Sequence, residues 1–188
     1  MAHELRGRKV AILAADGVER VELEQPRGAL LGAGAETEVL SIHPGDIQAR
    51  QGDLDSAGTL PVDRVVSDAS TDDYDALLLP GGTMNPDQLR ANEDALGFVK
   101  AFVSSGKPVA TICHGPWTLV EADVVRGRRL TSWPSIRTDL RNAGAEVVDE
   151  EVVIDGQFTS SRSPADLPAF CTAIIEQFAH AGRPDSVA

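Results

Sequence analysis

A chain of 188 residues, 42% hydrophobic and 24% charged, has the composition of a globular protein, and its length predicts one domain spanning 1–188. The formal net charge of −12 disfavours nucleic-acid binding, because an acidic surface is repelled by phosphate backbones. The apolar runs are strand-sized and the first residues carry no signal-peptide pattern, so we expect a cytoplasmic protein that does not bind membranes.

The first half of the chain alternates apolar runs with helical spacing. Residues 9–14 form a continuous apolar run, which is typical of a strand buried on both faces. Helical spacing over 22–34 ends in glycines, and 36–41 is predicted as a second strand. The polar stretch 42–75 has only scattered apolar residues, so we expect no more than small strands of a flap there.

The second half continues the alternation. A third buried strand at 75–80 stops at two glycines, a helix follows at 93–105, and a fourth strand at 108–112 runs directly into Cys113. The remaining predicted elements are a helix at 136–143, a hairpin of 152–154 and 158–160 around Asp155-Gly156, and a closing helix at 166–179. Strands alternating with helices predict a mostly parallel sheet covered on both faces.

Three loops with polar residues follow predicted strands, at 15–22, 81–87 and 113–117. Ligands of open parallel sheets bind outside the carboxyl ends of the strands. The sequence therefore predicts a functional site where these three loops meet.

The strongest local signal is Cys113-His114-Gly115-Pro116. A buried strand that ends in cysteine and is followed by Gly-Pro and a helix-competent run is typical of a nucleophile elbow, and the helix start favours a thiolate. His114 is a candidate base, although adjacent side chains of a strand point to opposite faces. The alternative is that Cys113 is a small core residue, as free cysteines often are. Cys171, the other cysteine, is predicted to be buried in the last helix, and two cysteines make neither a disulfide framework nor a zinc site.

Other residues of the three loops have plainer alternatives. Gly81-Gly82 can present backbone N–H groups to an oxyanion or form an ordinary turn. Asp87, taken alone, is a helix-start residue. Glu19 is a surface carboxylate unless burial raises its pKa, in which case the protonated group can donate a hydrogen bond to a thiolate.

Taken together, these motifs resemble the DJ-1/PfpI superfamily, and specifically its PfpI-like branch, the intracellular protease I and general stress protein 18 type. The resemblance covers nearly the whole chain. Its segments are 14–23, 78–82, 106–116, 126–128, 142–145, 160–162 and 164–168.

The resemblance implies a flavodoxin-like three-layer α/β sandwich with a nucleophile elbow, the fold of class I glutamine amidotransferases. It also implies a triad assembled between subunits, and hence a homodimer or higher homo-oligomer with the active site at the interface. The positions that match the family's motifs imply Cys113 as nucleophile, His114 as base and Asp87 of a neighbouring subunit as the third member of the triad. They also imply Glu19 as the acid that contacts the nucleophile. The Gly81-Gly82 loop and the His114 N–H match the oxyanion donors. One extra residue stands between Gly82 and Pro86, which weakens the match at Asp87.

Members of the superfamily are described as peptidases, glyoxalases, deglycases and stress proteins. We expect Trp117 to narrow the rim and favour small aldehydes over peptides; the alternative is that it only packs the helix. In the glyoxalase scheme, the Cys113 thiolate adds to methylglyoxal, His114 polarised by Asp87 moves a proton, and water releases lactate. The scheme needs neither glutathione nor metal, so we predict no cofactor.

Two further alternatives use the same fold or the same residues. Glutamine amidotransferases take a His and a Glu two residues apart from a downstream segment, whereas the only later histidine here, His180, is followed by Ala181-Gly182. A non-catalytic redox sensor would oxidise Cys113 to a sulfinate stabilised by Glu19. The sequence disfavours the amidotransferase, and it leaves a peptidase and a redox sensor as alternatives to the aldehyde enzyme.

Overall fold

The computed structural model describes residues 4–180. The predicted domain span of 1–188, and the Ala181-Gly182 pair after His180, extend beyond these residues. The strands are β1 (Lys9–Leu13), β2 (Val18–Glu19), β3 (Glu36–Ser41), β4 (Asp46–Gln51), β5 (Asp55–Pro61), β6 (Arg64–Val65), β7 (Ala76–Leu79), β8 (Val109–Ile112), β9 (Arg129–Leu130), β10 (Glu146–Val147), β11 (Val152–Asp155) and β12 (Phe158–Ser161). The helices are α1 (Arg20–Gly32), α2 (Met84–Arg90), α3 (Glu93–Ser104), α4 (Pro116–Glu121), α5 (Arg137–Asn142) and α6 (Leu167–Ala179).

The central sheet has the strand order β11-β12-β8-β7-β1-β3-β6. Its strands are parallel except for the β11–β12 hairpin, whose outer strand runs antiparallel at the edge. The middle strands β1, β7 and β8 are buried on both faces, as their continuous apolar runs predict. The predicted hairpin is confirmed, and β12 also pairs with β8, which places it inside the main sheet.

Helices cover both faces of this sheet, and the side chains of β1 show the division. Val10 and Ile12 pack with residues of α1 and α6, whereas Ala11 and Leu13 pack with residues of α3, α4 and α5. Alternate residues of a strand point to opposite faces, so one strand contributes to two cores. The result is the predicted flavodoxin-like three-layer α/β sandwich. No helix within residues 4–180 is long and apolar enough to cross a membrane.

The polar stretch after β3 contains the predicted flap. Strands β4 and β5 form an antiparallel hairpin, and the short strand β2 joins it by pairing Val18 with Ala49 and Glu19 with Arg50. The hairpin turn at Gly52 and Asp53 thereby comes to lie over the carboxyl ends of the central strands, where it lines the same cavity as Cys113.

Two predicted helices have different bounds. The first begins at Arg20 instead of residue 22, because residues 18 and 19 are extended by their pairing with β4. The predicted helix at 136–143 is a 3-10 turn over Pro134–Ile136 followed by the shorter helix α5. With this start, Glu22 is the third residue of α1, lies in its first turn and is buried.

Candidate active site

Cys113 lies on a sharp turn between β8 and α4, as predicted. Its φ is +61°, a left-handed conformation that is costly for a residue with a side chain. The turn is held by hydrogen bonds from Cys113 N–H to Ser161 O at 3.1 Å and from Trp133 N–H to Cys113 O at 2.9 Å. Gly115 is needed here because a Cβ at that position would lie 2.5 Å from Leu79 O. A strained turn that is held by hydrogen bonds and close packing has the geometry of a nucleophile elbow.

His114 contacts Cys113 despite being its sequence neighbour. Its Nδ1 lies 3.3 Å from Cys113 Sγ, and its Nε2 lies 3.3 Å from Ser135 Oγ. The ring stacks against Trp133 at a centroid distance of 5.8 Å and is tilted against Trp117 at 5.6 Å. Burial lowers the pKa of His114, while the Asp53 carboxylate acts in the opposite direction. Burial therefore favours the neutral imidazole, in which one ring nitrogen carries a hydrogen and the other can accept a proton.

The acid next to the sulfur is Glu22, not the predicted Glu19. Glu22 is 0% exposed, its Oε2 accepts from Gly81 N–H at 2.9 Å, and its Oε1 has no hydrogen-bond partner among the described residues. A Cβ on Gly81 would touch both Glu22 Oε2 and Cys113 Cβ, which places the carboxyl group beside the cysteine. Glu19 instead accepts from the N–H groups of Gly52 and Asp53, at 3.1 and 3.2 Å. Glu19 does not take the predicted place beside the sulfur, because residue 19 belongs to the short strand that pairs with the flap. Glu19 remains on the wall of the cavity that contains the sulfur.

Burial changes the protonation of both Glu22 and Cys113. Burial raises the pKa of Glu22 to about 8, against the neighbouring Cys113 and the hydrogen bond from Gly81, which favour the carboxylate. Burial and the Glu22 carboxylate also raise the pKa of the Cys113 thiol, against the backbone N–H groups of Gly82 and His114. The thiolate stabilisation expected from the following helix is thus opposed by burial. When Glu22 is protonated, its charge no longer raises the pKa of the Cys113 thiol. The protonated carboxyl group can also donate a hydrogen bond to the sulfur.

The glycine loop lies directly beside the sulfur. The backbone N–H groups of Gly82 and His114 lie close enough to the sulfur to lower the pKa of Cys113, so they favour the thiolate. Gly81 packs so closely that a Cβ there would lie 2.7 Å from Cys113 Cβ and would collide with Glu22 Oε2. Gly82 has a φ of +80°, which glycine adopts at little cost. The loop can therefore hold negative charge on a group bound to the sulfur.

Asp87 lies in the first turn of α2 and is exposed. Among residues 4–180 it accepts no hydrogen bond and forms no ion pair, and the described chain does not join it to His114. The position that a third triad member would take in this chain is occupied by Ser135, at His114 Nε2. The role of Asp87 in a site shared with a second copy of the chain stays a prediction.

The cavity above Cys113 has a volume of about 260 Å³. Its aromatic wall is Trp133, which is 38% exposed, instead of the predicted Trp117. Trp117 donates its indole N–H to Asp139 at 2.7 Å and lies under the Arg90 guanidinium, so it is held against neighbouring helices. No local pattern marks Trp133 or Ser135, which lie about twenty residues after Cys113. A signal for Glu22 does exist, since it lies on the buried i, i+4, i+8 stripe with Pro26 and Leu30.

Fold and site together define a flavodoxin-like α/β protein with a cysteine on a strained strand-to-helix turn and a histidine and a buried glutamate beside it. The model of the DJ-1/PfpI family matches residues 8–177. The chain belongs to the DJ-1/PfpI family.

Its relatives are similar over most of their length. The chain is 45% identical over 168 residues to a deglycase of Pyrococcus abyssi, covering 89% of this chain and 98% of the relative. It is 42% identical over 166 residues to general stress protein 18 of Bacillus subtilis, covering 87% and 94%. Among solved structures, a two-domain protein of Anabaena variabilis with DJ-1/ThiJ/PfpI-like and ferritin-like domains matches with a TM-score of 0.86 at 36% identity. That match covers 96% of this chain and 52% of the two-domain protein, so the chain spans about half of it.

Proposed function

We propose that this protein is a cysteine-dependent stress-response enzyme of the PfpI type that acts on small reactive aldehydes, as a glutathione-independent glyoxalase or deglycase. The observation that carries the proposal is the contact of Cys113 Sγ with His114 Nδ1 at 3.3 Å, at the wall of a cavity of about 260 Å³. The names of the relatives, a deglycase and a general stress protein, agree with it.

The size of the cavity favours small aldehydes over peptides. Pockets for drug-sized ligands usually measure about 300–1,000 Å³. A volume of about 260 Å³ suits a three-carbon oxoaldehyde, and Trp133 forms part of its wall. An intracellular cysteine peptidase, the alternative within the family, would need room for a peptide main chain on both sides of the sulfur.

The reaction uses groups already in contact. As Cys113 Sγ adds to the aldehyde carbon of methylglyoxal, His114 Nδ1 accepts the thiol proton and a hemithioacetal forms. A proton moves from the aldehyde carbon to the neighbouring carbonyl carbon through an enediol, which gives a lactoyl thioester on Cys113. Water hydrolyses the thioester to lactate and restores the thiol, so no outside oxidant or reductant is needed. The N–H groups of Gly82 and His114 stabilise the oxyanion, and protonated Glu22 donates to the sulfur.

The test is lactate formation from methylglyoxal without glutathione. We expect turnover by the wild type and its loss, by a factor of at least about 10³, in Cys113→Ala. Cys171→Ala is the matched control, because Cys171 is a free thiol that does not line the cavity. It is partly exposed on α6, whereas the sequence predicts a buried residue. Full turnover by Cys113→Ala would refute the proposal.

We further propose that a second copy of the chain supplies Asp87 to the site. Two apolar side chains are exposed near the residues concerned, as expected of a surface that a second copy covers. Met84 lies three residues before Asp87 in α2, and Leu54 follows the cavity residue Asp53 in the flap. Equal mixing of Cys113→Ala with Asp87→Ala should restore roughly a quarter of wild-type activity by random assortment of a two-fold dimer. Two inactive variants that stay inactive after mixing, or a fully active monomer in sedimentation, would contradict this role.

A second candidate function, a redox sensor, is favoured by the position of Glu22 beside Cys113 in the same cavity. A protonated carboxyl beside the sulfur would stabilise a sulfinate, formed when two equivalents of peroxide oxidise the thiol and are reduced to water. Peroxide titration with mass spectrometry should then show rapid oxidation of Cys113 that stops at two added oxygens. Slow oxidation, or equal oxidation of Cys171, would exclude this second function.

A further inference from the structure

Both ring nitrogens of His114 have a partner within the chain. Nδ1 faces Cys113 Sγ, and Nε2 faces Ser135 Oγ, each at 3.3 Å. A neutral imidazole carries one N–H and one lone pair, so only one of the two nitrogens can accept the thiol proton. Which nitrogen carries the hydrogen therefore decides whether His114 can act on Cys113.

Ser135 has an exposed side chain on a backbone segment that is tied to Cys113 and His114. It lies in the 3-10 turn Pro134–Ile136, directly after Trp133, whose N–H donates to Cys113 O at 2.9 Å and whose ring stacks on His114. The same short segment thus fixes the backbone of the cysteine, one face of the imidazole and the environment of Nε2. The imidazole cannot turn away readily, because Trp117 lies against it as well.

We propose that Ser135 is a positioning residue that fixes the tautomer of His114. Ser135 Oγ accepts the hydrogen bond from Nε2–H, which leaves the lone pair on Nδ1 directed at the Cys113 thiol. The reverse tautomer would place N–H on Nδ1 and prevent His114 from accepting the thiol proton. The Ser135 hydroxyl hydrogen stays available to a further acceptor, so this role is compatible with a carboxylate supplied by a second copy. The inference rests on the proposed function, in which His114 is the base for Cys113.

Nuclear magnetic resonance of 15N-labelled histidine tests the tautomer directly. The nitrogen shifts of His114, assigned by comparison with His114→Gln, should show Nε2 protonated and Nδ1 unprotonated in the wild type near pH 7.5. In Ser135→Ala the two shifts should move towards each other as both tautomers become populated, and in Ser135→Thr they should return to wild-type values. Unchanged shifts in Ser135→Ala would overturn the proposal.

The rate of Cys113 alkylation by iodoacetamide gives the functional readout. Loss of one positioning hydrogen bond should slow alkylation and lactate formation by about two- to tenfold in Ser135→Ala, with recovery in Ser135→Thr. Ser163→Ala is the matched control. Ser163 lines a separate pocket that also contains Trp133, and its side chain makes no hydrogen bond to His114. If Ser135→Ala and the wild type react at the same rate over pH 6–9, the proposal is wrong.

These readouts separate the two proposals. A wild type that forms no lactate refutes the aldehyde function, while the nitrogen shifts and alkylation rates still decide the role of Ser135. Wild-type turnover that persists undiminished in Ser135→Ala refutes the positioning role and leaves the aldehyde function intact.

Discussion

Replacing Glu22 by glutamine should change how the stability of the protein depends on pH. Glu22 is fully buried, and burial raises its pKa from 4.5 to about 8. Glutamine has nearly the same shape, its amide oxygen can still accept from Gly81 N–H, and its amide nitrogen takes the place of the protonated carboxyl oxygen. The substitution thus keeps the contacts and removes the titration.

The direction follows from proton linkage. The folded protein keeps the Glu22 proton up to about pH 8, whereas the unfolded chain releases it above about pH 4.5. The contribution of Glu22 to the free energy of unfolding is therefore fully present below pH 4.5 and is lost as pH rises to 8. At about 1.4 kcal/mol per pKa unit, the loss is up to roughly 5 kcal/mol, a large part of the stability of an ordinary domain.

Urea unfolding at pH 5, 7 and 9, at one protein concentration and with reductant, measures this difference. Wild type should lose several kcal/mol more than Glu22→Gln between pH 5 and pH 9. Glu24→Gln is the control on the same helix: its carboxylate pairs with Arg20 at the surface, and exposed pairs contribute no more than about 1 kcal/mol. Equal losses in wild type and Glu22→Gln would refute a buried, protonated Glu22.

Two further substitutions test the packing around the sulfur. Gly81→Ala should lower the free energy of unfolding by about 1–3 kcal/mol, because its Cβ would lie 2.7 Å from Cys113 Cβ. Gly97→Ala on α3, where a Cβ meets nothing within 4 Å, should raise the free energy of unfolding by up to about 1 kcal/mol. If urea unfolding shows that both glycine substitutions stabilise or both destabilise the protein, the packing explanation is wrong. Trp133→Ala should raise the kcat/KM for phenylglyoxal relative to methylglyoxal roughly tenfold, whereas Trp117→Ala should leave that ratio unchanged, because only Trp133 lines the cavity. Equal changes of the ratio in the two tryptophan variants would remove Trp133 as the determinant of size.

The sequence by itself determined the layers of the sheet and the position of the cysteine. Continuous apolar runs identify β1, β7 and β8, because a parallel strand buried on both faces must be apolar at every position. The loops after these strands then meet at one rim, since the carboxyl ends of parallel strands lie on the same edge. The sequence also predicts the turn at Cys113, because a buried strand, a cysteine and then Gly115 and Pro116 follow one another directly in the chain.

Only the tertiary structure decided which side chains surround the sulfur. The pairing of Val18 and Glu19 with the flap, about thirty residues away, ends the extended segment at residue 19. Helix α1 therefore starts at Arg20 and turns Glu22 inward, while Glu19 binds the flap turn. Trp133 and Ser135 reach His114 through a turn that no local periodicity marks. Pairing between distant strands decides which of two nearby glutamates lies beside the sulfur. The local sequence pattern does not predict that pairing.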